Sequence, residues 1–195
     1  MNEKGEKIPM LKKIVTMLLA LCLAVVALVP AFAETAQAPE KKVVNWDTER
    51  QQQFANAGYT GELKTFGSHN ISVIIPNDFM QAKLTDDSKA AGTLDAFLKA
   101  DGSMIVIAQT KPTGGITFHS MDEVEASAKQ GNPNGNFQRA VVNGLEVLVY
   151  IIPEKDVSTI MTLLDNGEVF TVTCNKLSAN KDLYSFVAAS LQIKK

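Results

Sequence analysis

Cysteine is nearly absent from this chain: there are two in 195 residues, and one of them, Cys22, falls inside an apolar leader. Cys174 stands alone in the remainder, which excludes an internal disulfide there whatever the redox state of the compartment. Histidine is equally scarce. His69 and His119 each lack a His, Cys or carboxylate at ligand spacing, so the sequence carries no zinc pattern and no metal is expected. Basic clusters are missing as well. After residue 33 there are 15 lysines and arginines against 19 aspartates and glutamates, a net charge of −4. These cations are scattered and offer nothing to track a phosphate backbone or coat an anionic surface, so nucleic acid is not an expected partner. A Gly-x-Ser-x-Gly elbow, a phosphate loop and a dinucleotide fingerprint are absent too. Gly114-Gly115 after Pro112 is the nearest approach, but no Lys-Ser or Lys-Thr follows it. No cofactor is therefore expected, and no catalytic or cofactor-binding residue is assigned.

What is present begins with the leader. Lys12-Lys13 run into the apolar stretch Ile14 to Val29, and Ala31-Phe32-Ala33 follows. A basic region, an uncharged region and a small-x-small site form a secretory signal, so residues 1–33 are expected to be removed and the mature protein to lie outside the cytoplasmic membrane, periplasmic, cell-surface or extracellular. A start at Met10 would give an ordinary basic region. An uncleaved anchor is one alternative, but the run is short of the roughly 20 residues that span a bilayer comfortably, so no membrane span is expected after processing. Lipidation at Cys22 is another, set against the bulky Leu21 before it.

Residues 34–44, with little to bury, read as a flexible linker, and residues 45–195 as one domain. Asp47 or Thr48 caps a helix ending near Ala57-Gly58, and Trp46, the only tryptophan, is expected to pack on its own domain. Gly61 to Phe66 and Asn70 to Ile75 form a hairpin closed by Pro76. Thr93 to Lys99 and Ser103 to Thr110 form a second hairpin around Asp101-Gly102. Ser120 and Glu123 spell a capping box for a helix that stops at the Gly131 to Gly135 turn formers. Phe137 to Val142, Leu145 to Ile152, Val157 to Leu164 and Glu168 to Cys174 read as a meander, with Asn143-Gly144 and Asn166-Gly167 in two of the gaps. Leu145 to Ile152 is apolar on both faces and should be central and among the most buried. Leu183, Phe186, Val187 and Leu191 form the stripe of a terminal helix. The fold class is α+β: an antiparallel sheet of about eight strands with helices packed on its faces, an α/β/α sandwich.

Candidate chemistry is sparse. Cys174 alternates with Phe170 and Val172 on a strand face and reads as a small core hydrophobe, although folding could bring His69 or His119 beside it as a nucleophile pair. Asp122-Glu123 suit the first turn of a helix, and Asp86-Asp87 with Asp95 lack the ordered oxygens of a calcium loop.

The strand ending Ile71-Ser72-Val73-Ile74-Ile75-Pro76-Asn77-Asp78-Phe79, then Val142-Asn143-Gly144 before a long apolar strand, Asp165 to Phe170, and a closing helix ending Ala189-Ser190-Leu191 resemble the PsbP-like fold. That fold is named after an extrinsic subunit of the oxygen-evolving photosystem and occurs in small exported bacterial proteins. The resemblance covers Gly61 to Lys195 and implies an antiparallel sheet between helices. It implies no reaction and no manganese, calcium or chloride role. The expected function is an exported, non-enzymatic binding or accessory domain for a protein or small-molecule ligand. Its binding surface is expected at the Lys111 to His119 loop and the Gly131 to Gly135 turn. The alternative is an extracytoplasmic hydrolase or thiol-dependent enzyme with a discontinuous site built from Cys174, His69, His119 or the acidic loop.

Overall fold

The structure, a computed structural model, describes residues 41–112, 117–180 and 182–193. The leader over residues 1–33 and the Gly114-Gly115 pair lie outside the described residues. The elements run β1 (Lys42–Val44), α1 (Thr48–Asn56), β2 (Gly61–Phe66), β3 (Ile71–Pro76), β4 (Met80–Gln81), α2 (Asp86–Ala90), β5 (Thr93–Leu98), β6 (Met104–Thr110), α3 (Met121–Gly131), β7 (Asn136–Val142), β8 (Leu145–Ile152), β9 (Val157–Leu163), β10 (Val169–Asn175), α4 (Leu183–Ala189) and β11 (Gln192–Ile193). The class is α+β, as expected. Eight strands form the main sheet in the order β1-β7-β8-β9-β10-β6-β5-β4, antiparallel throughout except for β1 on β7.

Helix starts follow the local chemistry. The Asp47 carboxylate accepts from the Arg50 N–H, and the Ser120 hydroxyl accepts from the Glu123 N–H at 3.3 Å. Glu123 does not close the box on Ser120: its carboxylate accepts from the His119 N–H at 2.8 Å, one residue further out. The β7–β8 reversal puts Asn143 at φ 50° and Gly144 at φ 83°, the double positive pair that a tight hairpin requires.

Alternation along the strands divides the interior. Ala140, Val142, Val147, Ile160, Phe170, Val172 and Cys174 face the second sheet and α4, while Leu148, Tyr150, Ile152, Met161 and Val169 face α3. Ala96, Met104, Val106 and Val157 form a third, smaller group near α2.

Three expectations change. The first hairpin leaves the main sheet: β2 and β3 join β11 in a second sheet of order β11-β3-β2, packed over the main one. Hairpin pairing is local, but which sheet a hairpin joins depends on its free edge, and here β11 takes the edge of β3 while the Ser190 hydroxyl accepts from the Ile74 N–H at 2.9 Å. Second, Lys42–Val44, read as part of the linker, are a strand. Val44 packs on the core, and its carbonyl accepts from the Asn143 N–H at 2.9 Å. Three residues are too few to show a period.

Third, β8 is covered on both faces yet is not the centre of the sheet. Four of its eight residues are buried, against six of seven in each of β9 and β10. Those central strands look less apolar because they carry Ser158, Thr159, Thr162, Thr171 and Thr173, all buried. Three of these hydroxyls are partnered, Thr159 Oγ1 and Thr173 Oγ1 lying 3.2 Å apart and Thr162 donating to the Glu146 carbonyl at 2.9 Å, whereas those of Ser158 and Thr171 are buried without a hydrogen-bond partner among the described residues.

Candidate functional site

The residues that sequence singled out do not converge. Cys174 is wholly buried, and burial pushes its thiol up to about 12. On β10 it lies opposite Ile105 and Ser158, five residues from Val169, or about 17 Å at strand rise. His69 sits in the β2–β3 turn, its Nδ1 3.0 Å from the Ser68 hydroxyl, and Ser68 in turn meets Gln109 near the Val169 end of the sheet. His119 is exposed at the start of α3, also near that end but on the opposite face. Neither histidine reaches the cysteine. A small thiol reagent should therefore modify native Cys174 only as fast as the domain opens, and labelling should become rapid in denaturant. Fast labelling of the folded protein, followed by mass spectrometry, would contradict this burial.

The acidic candidates separate as well. Asp86 and Asp87 open α2, with Asp86 3.8 Å from Lys89, whereas Asp95 on β5 accepts from Gln81 at 2.8 Å. Among the described residues, no three His, Cys, Asp or Glu are grouped to hold a metal ion. The two loops expected to form one surface also part. The described end of the first, Thr117 to His119, leads into α3, and the Gly131 to Gly135 turn follows its other end. Eleven residues of helix hold them about 16 Å apart.

The structure brings together a different set. Alternation on β7 puts Phe137, Arg139 and Val141 on the α3 side of the sheet, and Asp122 and Glu125 lie one helical turn apart above Arg139. The guanidinium of Arg139 donates to Asp122 Oδ1 and to Glu125 Oε2, each at 3.1 Å, and also to Glu146 of β8. Lys41 bonds Glu146 at 2.5 Å and Lys129 bonds Glu125 at 2.7 Å, so three cations and three carboxylates alternate in one network. The Arg139 side chain is only 10 % exposed, and its Nε is buried without a partner. Beside the network opens a cleft of about 460 Å³, lined by Lys41, His119, Asp122, Arg139, Glu146 and Thr162 among others. Its rim is exposed, the Asp122 side chain at 92 % and Lys41 at 40 %.

Sequence reading passed over Arg139, Glu125 and Glu146. The available signal was a cation between Phe137 and Val141 on one strand face, where a charge must be paired if it is to be buried.

Burial works against the charged forms of Glu125 and Glu146, but hydrogen bonds and charge outweigh it, from Lys129 and Arg139 for Glu125 and from Lys41 and Arg139 for Glu146. Both carboxyls are held below their usual range. A group whose pKa is lowered on folding contributes stability that is fully present above its unfolded value, about 4.3, and is lost as pH falls through its folded value. The melting temperature should therefore drop on acidification below about pH 4, and Glu146→Gln should make that drop shallower while lowering stability at neutral pH, where Arg139 and Lys41 lose the charge of their shared partner. Asp101, held down by bonds from Ser103, and Glu168, held down by Gln109, keep some acid sensitivity in the variant. Parallel acid profiles of the two proteins, followed by circular dichroism, would remove Glu146 from this role.

No described helix is long and apolar enough to cross a membrane. No family model matches the chain, and no curated protein matches it. Among solved structures, the chain is similar to the solution structure of cyanobacterial PsbP from Synechocystis sp. PCC 6803, at 12 % identity over 68 % of this chain and 92 % of that one, with a TM-score of 0.45.

Proposed function

We propose that the protein is an exported accessory domain that binds a polar partner or small ligand at the Arg139 cleft and carries out no turnover of its own. The observation that carries this reading is the Lys41-Glu146-Arg139-Glu125-Lys129 network, which fixes the cleft walls while leaving Asp122 and Lys41 exposed at its rim. Paired charges on strands and a helix form a preorganised polar surface, and the exposed sides of Asp122 and Lys41, one of each sign, suit recognition of a polar, charge-bearing group. A thiol-dependent enzyme would need a thiolate that Cys174, buried and titrating near 12, does not offer.

The test is native mass spectrometry of the protein purified from the exported fraction, together with the charge-reversed rim variants Lys41→Glu and Asp122→Lys. A bound species in the wild type that is lost from both folded variants is the expected result. In parallel, a panel of hydrolase and redox assays is run on the wild type, His69→Ala and His119→Ala. Turnover abolished by either histidine substitution in a folded protein would replace this reading with the enzymatic one.

A further inference from the structure

The second sheet ends in an open strand. β2 pairs with β3 on one side, and among the described residues no backbone group bonds along its other edge. Exposed edges of this kind recruit further strands unless they are blunted. Gly61, Glu62, Leu63 and Thr65 are exposed, and Leu63 is one of the few large apolar side chains left half in water, at 50 %. Register places Glu62 and Lys64 on the face toward Ile75 and Val73, and Leu63 on the opposite face beside Ile74.

We infer that β2 is a homodimerisation edge, and that its occupant is the β2 of a second copy, paired antiparallel about a two-fold axis through Leu63. The order Gly61-Glu62-Leu63-Lys64-Thr65 is self-complementary under that axis. Glu62 falls directly opposite Lys64 of the second copy, and Lys64 opposite its Glu62, while Leu63 meets Leu63 and the bulk of Thr65 meets Gly61. Within one chain Glu62 and Lys64 lie 3.5 Å apart with side chains 76 % and 41 % exposed, and the Lys64 ammonium also lies 5.8 Å from the centre of the Phe97 ring, so both charges stand at the open edge within reach of a second copy. A two-fold contact needs such a patch, in which residue i meets j and j meets i. Cross-strand pairs of opposite charge favour this register, and like charges directly opposite disfavour it. Pairing of one six-residue strand buries a small area, so the dimer is weak and concentration-dependent.

The experiment is sedimentation equilibrium of the protein purified from the exported fraction over a concentration series, with melting temperatures confirming that each variant folds. The wild type should move from monomer to dimer. Glu62→Lys alone and Lys64→Glu alone each set like charges opposite one another twice per dimer and should weaken association by about tenfold or more. The double variant Glu62→Lys/Lys64→Glu restores the pairing and should dimerise like the wild type. An equimolar mixture of the two single variants should form a heterodimer, because every position 62 then meets an opposite charge at position 64. A wild type that stays monomeric throughout, or single variants that associate as tightly as the wild type, would overturn the inference.

Discussion

Phe186→Ala should cost about 3 to 5 kcal/mol of unfolding free energy, a large share of what a domain of this size has. Phe186 is 2 % exposed on α4 and is the centre of an aromatic group. Trp46 meets it edge-on at 5.6 Å, Phe54 at 5.3 Å, and Tyr59 stacks on it at 5.5 Å. Those three residues are also the aromatic anchors of α1 and its flanks, a helix with no buried residue of its own. Removing the ring leaves a cavity and takes away the surface on which α1 sits. Because Trp46 is the only tryptophan, its emission should move to longer wavelength in the same variant. Phe54→Ala, at a half-buried position, should give a similar spectral shift with a smaller loss of stability. Denaturant titration followed by fluorescence decides both points, and a loss below about 1 kcal/mol for Phe186→Ala would mean that the core closes over the gap.

Asn143→Asp should destabilise by about 3 kcal/mol although it changes a single atom type. The Asn143 amide accepts from the Trp46 N–H at 2.6 Å and donates to the carbonyls of Ala189 at 3.0 Å and Leu191 at 2.8 Å. One side chain thus ties the β7–β8 turn to the entry of α1 and the exit of α4. Aspartate tolerates the φ of 50° and keeps the bond from Trp46, but it has no N–H to give. Its charge faces two carbonyl oxygens instead. Asn143→Gly keeps the backbone conformation, loses all three bonds without adding repulsion, and should be the milder change. Equal stability of wild type and Asn143→Asp in chemical denaturation would show that these bonds contribute nothing.

These two residues show where legibility ended. Asn143 is legible in the sequence as half of an Asn-Gly reversal, because turn chemistry depends on its own φ and its neighbour's. Its amide bonds run to Trp46, 97 residues away, and to Ala189 and Leu191, 46 and 48 residues on, and no local pattern announces partners at that range. Phe186 was visible as one member of an apolar stripe, but not as the residue that docks α1. Arg139 shows the same limit at the cleft, since its carboxylates come from α3 and β8 and meet it only once helix and sheet are packed.

By itself the sequence determined the longer helices and strands, the caps of the first and third helices, the tight turns and the α+β class, because periodicity, capping and turn preference are short-range properties of neighbouring residues; the five-residue α2 and the two- and three-residue strands β1, β4 and β11 are too short to show a period. Only the tertiary structure decided that the first hairpin forms a second sheet, that the threonine-bearing β9 and β10 are the interior, and that Cys174 lies beyond the reach of both histidines. It also decided that a six-charge network beside an open cleft is the site to test. The physical reason is common to all four: each is settled by which faces and edges are left to be covered once the elements exist, and that competition is fought between residues far apart in the chain.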